Sequence, residues 1–136
     1  MDENVFRSVR DAASGDVIVE RARADFITLL KNCRLSISQG GYNTMMEVLA
    51  TGAIGIAVPY AGGQETEQTL RVKLLEKRGF IHQIPESDLS DKSLLDVVNN
   101  TQTQKRNKNI SINLDGAIQS AKLVASWAKE LKDSYA

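Results

Sequence analysis

A single cysteine and a single histidine stand among the 136 residues, and their scarcity excludes a good deal. Cys33 has no partner for an internal disulfide and no companions for a thiolate metal cluster. His82, alone, rules out a multi-histidine metal site. Net charge is missing as well: 17 basic residues face 17 acidic ones, which leaves no general electrostatic pull toward nucleic acid or an anionic membrane. No apolar run approaches the length of a membrane span. The opening Met1-Asp2-Glu3-Asn4 lacks the charge-then-apolar order of a signal peptide. There is no internal repeat and no low-complexity linker. The expectation is a soluble, cytoplasmic protein in a reducing compartment, with no nucleic-acid partner, no transmembrane segment and no metal.

What is present is organised around Ser36-Ile37-Ser38-Gln39-Gly40-Gly41-Tyr42-Asn43-Thr44-Met45-Met46-Glu47. Leu35 to Ser38 reads as a strand, two glycines follow, and a helix runs to about Thr51. That order aims unpaired helix N–H groups, at the positive end of the helix dipole, toward an anion such as phosphate. Gly40 and Gly41 permit a sharp turn and a close anion without a Cβ in the way. A plain architectural reading competes with this one. Thr44-x-x-Glu47 is also the capping-box pattern of a helix start, Asn43 suits a turn, and Gly52 suits a helix end.

The length allows one domain, residues 1–136, with a core of its own. Helical spacing predicts helices over residues 3–13, 22–32, 65–78 and from Ser90, and a last helix from Asp115. Their expected buried faces are Phe26, Leu29 and Leu30; Met45, Val48 and Leu49; Leu70, Leu74 and Leu75; Leu94, Leu95, Val97 and Val98; and the stripe Ile118, Ala121, Val124, Ala125, Ala128 and Leu131. Strands are predicted at Val17–Val19, Leu35–Ser38, Ala53–Pro59 and Phe80–Ile84. Residues 99–113 read as a polar loop. Four strands alternating with helices argue for a parallel α/β sheet with right-handed crossovers, whose ligands sit at the strand carboxyl ends. Two glycine-containing polar loops, 39–44 and 60–68, leave such ends after consecutive strands.

These residues resemble a known family. Gly41-Tyr42-Asn43-Thr44-x-x-Glu47, then Gly52, Pro59, Glu67-Gln68-x-x-Arg71 and Gly79, are similar to the nucleotide-sugar half of GT-B glycosyltransferases. Within these the chain most resembles the family-28 type, the relatives of the bacterial lipid I N-acetylglucosaminyltransferase, and especially bacterial proteins called only predicted glycosyltransferases. The similarity runs from about Val17 to Ile84 and, more weakly, through Asp115-Gly116-Ala117. It implies a Rossmann-like sheet flanked by helices. It also implies that Gln39, Gly40, Gly41, Asn43 and Thr44 hold the diphosphate and that Glu47 takes both ribose hydroxyls. A carboxylate suits a vicinal diol because its two oxygens accept from two donors. Glu67 and Gln68 would read the donor sugar, and backbone near Arg23 would recognise the base, usually uracil. No cofactor is implied beyond the UDP-sugar donor, and no metal.

Each residue has a plainer use. Glu47 can cap its helix, and Glu67 favours a helix first turn by charge alone. Arg71 reads as an ordinary surface charge and stays outside the site; His82 as a packed or edge histidine; Trp127 as core; Cys33 as a small buried residue. Related plant-type enzymes carry histidine where Gln39 stands. The resemblance further implies an N-terminal acceptor domain that supplies the base, and two strands between the 17–19 strand and the rest of the sheet; residues 1–16 cannot be those. The expectation is therefore a partial domain: a fragment, a half working with another chain, or a domain that repairs its sheet by pairing with a second copy. Its function would be donor binding in an inverting hexosyl transfer, the chain alone being inactive. The alternatives are a non-catalytic partner subunit and a nucleotide-sugar epimerase-like protein, the latter disfavoured by the Asn-Thr-x-x-Glu spacing.

Overall fold

The computed structural model describes residues 2–63, 66–101, 103–106 and 115–134. Helix α1 (Glu3–Ala12) starts on Asp2, whose side chain accepts from Asn4 N at 2.8 Å. After it come α2 (Phe26–Asn32), β1 (Ser36–Ser38), α3 (Tyr42–Thr51), β2 (Gly55–Ala57), α4 (Glu67–Lys77) and β3 (His82–Gln83). A 3₁₀ turn (Glu86–Asp88), α5 (Asp91–Thr101) and α6 (Gly116–Ser134) complete the described elements.

The sheet is parallel, in the order β1-β2-β3, with Ile37 opposite Ile56 and Ile56 opposite His82. The central strand β2 is buried along its whole length, as a strand covered on both faces requires. Ala57 joins the main cluster with Leu30, Met45, Val48, Leu49, Ala53, Val72, Leu75 and Ile81. Ile56 points the other way and is also fully buried. Helix α2 packs on α3, and α4 on β3. Cys33 is half-buried against the cluster, and Arg106 donates to the carbonyls of Leu30 and Cys33 at the end of α2. Gly52 and Gly79 close α3 and α4 in the left-handed conformation, at φ 63° and 72°.

Several expectations are corrected. Val17–Val19 is not a strand; Val17 and Ile18 are exposed, and among the described residues no strand lies alongside to pair with them. A strand is defined by its neighbour, and a local run of β-branched residues cannot supply one. Helix α2 begins at Phe26 rather than residue 22, and of its expected face only Leu30 is buried. In α4 the buried residues are Val72 and Leu75, while Leu70 and Leu74 are 60% and 48% exposed. The helix turns its β-branched valine inward, against the close-packed Gly40. Among the described residues, α5 buries only Thr101, with Leu94, Val97 and Val98 half-buried and Leu95 exposed. The apolar stripe of α6 is uncovered: Ile118, Val124, Trp127 and Leu131 are all more than half exposed, so Trp127 is not core. Of the predicted 99–113 loop, residues 99–101 are helical and 107–113 lie outside the described residues.

The two outer edges of the sheet differ. On β3, the outward N–H of Gln83 donates to Glu76 Oε1 at 2.8 Å. On β1, Ser36 N bonds Ile54 O and Ser38 O accepts from Val58 N, so both serines face β2 and Ile37 faces outward. Among the described residues nothing pairs with the Ile37 backbone.

Candidate functional site

Both polar loops leave carboxyl ends of neighbouring strands, 39–41 from β1 and 58–66 from β2, and each delivers the chain into a helix N-terminus. Gly41 is the N-cap of α3 and offers no side chain, so the amides of Tyr42, Asn43 and Thr44 have no intrahelical or capping partner among the described residues. The capping box is therefore not formed: Thr44 is the third helical residue, not the cap. The plainer use of Glu47 goes with it. Glu47 is half-buried, and among the described residues no hydrogen bond or ion pair reaches its carboxylate. Asn43 and Glu47 are four residues apart and Thr44 and Glu47 three, so all three share one face of α3.

The two glycines differ in their surroundings. A Cβ on Gly40 would lie 2.5 Å from Val72 Cγ2 and 3.3 Å from Gln68 O. Its missing side chain thus makes room for α4. A Cβ on Gly41 would meet nothing within 4 Å, so the open approach lies there. Gln39 is exposed beside this mouth.

Helix α4 brings Glu67 and Gln68 to the same end of the sheet. Glu67 is exposed, and its carboxylate pairs with Arg71. Gln68 Oε1 accepts from Tyr60 N at 3.4 Å, and the next amide, Ala61 N, donates to Glu86 Oε2 at 2.7 Å. The second loop is thereby held by two side chains. Sequence reasoning missed Arg71. Its side chain is only 14% exposed, and it donates to Gly40 O at 2.8 Å. The signal was its place one turn after Glu67, where an i, i+4 pair fixes it over the first loop.

Arg23 is not brought to this loop by any hydrogen bond or ion pair among the described residues. It pairs with Glu20 at 2.7 Å and Asp25 at 2.8 Å, and lines an open depression of ≈700 Å³ with Ile18, Phe26 and Leu29. The Arg23 bond holds the Asp25 carboxyl below its ordinary 3.8, and the two carboxylates push the guanidinium up. A depressed carboxyl contributes its stabilisation above the unfolded-state value and loses it as pH falls through the folded one. We expect the Asp25 carboxyl carbon, followed by NMR, to titrate below its ordinary 3.8 and to rise in Arg23→Ala; an unchanged midpoint would refute the pairing.

At the opposite, amino ends of the strands lies a depression of ≈420 Å³ lined by Ala53, Gly79, His82 and Arg106 among others. His82 there bonds Gln104 Oε1 at 3.0 Å from the edge strand, as expected of an edge histidine. No described helix is long and apolar enough to cross a membrane, and no described cluster of acidic, histidine or cysteine side chains fits a metal.

Residues 19–127 match the sequence profile of the glycosyltransferase family 28 C-terminal domain. The chain belongs to this glycosyltransferase family. The match spans α2 through most of α6, including both glycine-containing loops. A Helicobacter pylori (strain P12) protein named UDP-N-acetylglucosamine--N-acetylmuramyl-(pentapeptide) pyrophosphoryl-undecaprenol N-acetylglucosamine transferase is 28% identical over 108 residues. That covers 78% of this chain and 29% of the relative. The protein of the same name from Borrelia hermsii (strain HS1 / DAH) is 26% identical over 81 residues, 60% of this chain and 22% of the other. The chain thus spans under a third of the length of these curated relatives. A solved structure titled as the glycotransferase of kitacinnamycin superposes with a TM-score of 0.55 at 16% identity, over 70% of this chain and 25% of that one. This last likeness is one of fold: a GT-B, Rossmann-like C-terminal half.

Proposed function

We propose that this family 28 domain holds the nucleoside diphosphate sugar, a UDP-sugar, for an inverting glycosyl transfer. The observation that carries the reading is Glu47: a half-buried acidic residue whose carboxylate has no described partner, one turn along α3 from three uncapped amides. The amides of Tyr42, Asn43 and Thr44, with the Asn43 and Thr44 side chains, would take the diphosphate. Glu47 would take the ribose diol, and Glu67 and Gln68 the sugar. The apolar depression beside Arg23 would face the base, with the backbone there reading its edge. The relatives' names, which begin with UDP-N-acetylglucosamine, support a uridine donor.

In the transfer, the acceptor oxygen bonds to the anomeric carbon from the face opposite the leaving group. The carbon–oxygen bond to the diphosphate breaks, and its electron pair stays on the phosphate oxygen. Charge therefore grows where the α3 amides point, and fixed dipoles already aimed there stabilise it without reorganisation. In this reading that role needs no metal. The proton of the acceptor goes to a general base, which we assign to the part of the relatives' length that this chain does not span.

The test is calorimetric titration of the chain with uridine diphosphate, repeated on Glu47→Ala. The substitution should weaken binding by about 1–3 kcal/mol, the loss expected for hydrogen bonds to a charged group. A folded wild-type chain that ignores the nucleotide would sink the reading, as would a Glu47→Ala chain that binds equally well.

A further inference from the structure

We propose that Arg71 is a positioning residue that fixes the Gly40–Gly41 peptide and the Glu67 carboxylate together, and so couples grip on the diphosphate to reading of the sugar; the coupling half rests on the donor-site reading above. The guanidinium is a planar fork with separate donors. One arm, Nη1, donates to Gly40 O at 2.8 Å, and the other, Nη2, pairs with Glu67. The Tyr42 ring lies 5.3 Å from the guanidinium carbon, within cation–π range, and the side chain is 14% exposed. An arginine so enclosed, with both arms committed, is a fixture of the fold rather than a solvated surface charge.

The consequence lies in the peptide it holds. All described peptides are trans, and in a trans peptide the carbonyl and the N–H point to opposite sides. With the Gly40 carbonyl turned to Arg71, the Gly41 N–H is turned away from Arg71. No described group accepts from it. It becomes a fourth donor beside the amides of Tyr42, Asn43 and Thr44. Neither glycine has a side chain to resist rotation of this peptide, so the orientation depends on what holds the carbonyl. At the same time the Nη2 arm sets where the Glu67 carboxylate stands. Lysine would keep the charge but offers no fork with which to do both.

The test begins with the ligand-free chain. In Arg71→Lys and Arg71→Met the Gly41 amide resonance should move, while resonances of Met45 and Val48 stay in place. Affinity for uridine diphosphate should then fall about tenfold or more. The preference for UDP-N-acetylglucosamine over uridine diphosphate should shrink in Arg71→Lys and in Glu67→Gln, and less than additively in the double variant. A folded Arg71→Lys chain with an unmoved Gly41 amide overturns the positioning role. Unchanged preference between the two probes overturns the coupling. A wild-type chain that binds neither probe overturns the donor-site reading, and the ligand-free amide spectrum then decides the role of Arg71 by itself.

Discussion

Gly40→Ala will lower the stability of the fold by about 1–3 kcal/mol, the usual cost of forcing atoms into a packed site. The new methyl would stand 2.5 Å from Val72 Cγ2, and Val72 is fully buried and cannot swing into solvent. Gln68 O, at 3.3 Å, is backbone and gives way only if the start of α4 moves. Urea unfolding measures the loss. Val72→Ala removes the offending carbon, so the Gly40→Ala change should cost less in that background, and the double-mutant cycle should show the coupling. Gly41→Ala is the control: with φ −58° and open space at the Cβ, it should stay within about 0.5 kcal/mol of wild type. Equal effects at the two glycines would show that the first loop is not pressed on α4.

Met45→Ala should cost more, about 2–5 kcal/mol, because it empties the largest of the fully buried side chains. Met45 is 1% exposed and belongs to the cluster that joins α2, α3 and the sheet. Leu70→Ala, in contrast, should change stability by no more than about 0.5 kcal/mol, since Leu70 is 60% exposed. The comparison tests the rotation of α4 about its axis. A Leu70→Ala loss as large as that of Met45→Ala would mean that the helix presents the leucine face to the sheet.

Gly40 also shows how the sequence informs and misleads. A strand, two glycines and a helix could be read from local spacing, because each is decided by its own residues. The same holds for the buried face Met45, Val48 and Leu49, and for the helix ends at Gly52 and Gly79. The purpose of Gly40 could not, since it depends on Val72, thirty-two positions later. The burial of Arg71 was hidden for the same reason: its partner is the carbonyl of Gly40, and carbonyls carry no signature in a sequence. Thr44-x-x-Glu47 matched a capping box that Gly41 pre-empts by starting the helix earlier. At Val17–Val19 the β-branched run was real, yet hydrogen bonding to a neighbour was lacking. On α4 two rival stripes were available, and contact with the first loop chose the one through Val72. The family resemblance was legible because it rested on several spaced residues, which tolerate such local errors.

The unequal edges of the sheet give this architecture a direction of growth. The Glu76 carboxylate terminates the β3 side as a stopper would, while β1 offers Ile37 as an unused rung. Any further strand that joins in the same sense must lie next to β1 and finish beside Gln39. Its following loop would then form a wall of the mouth that the described residues leave without one. In the proposed donor site the groups nearest the phosphates belong to this chain, whereas the width of the cleft on that flank is open to be set by whatever neighbour the edge receives.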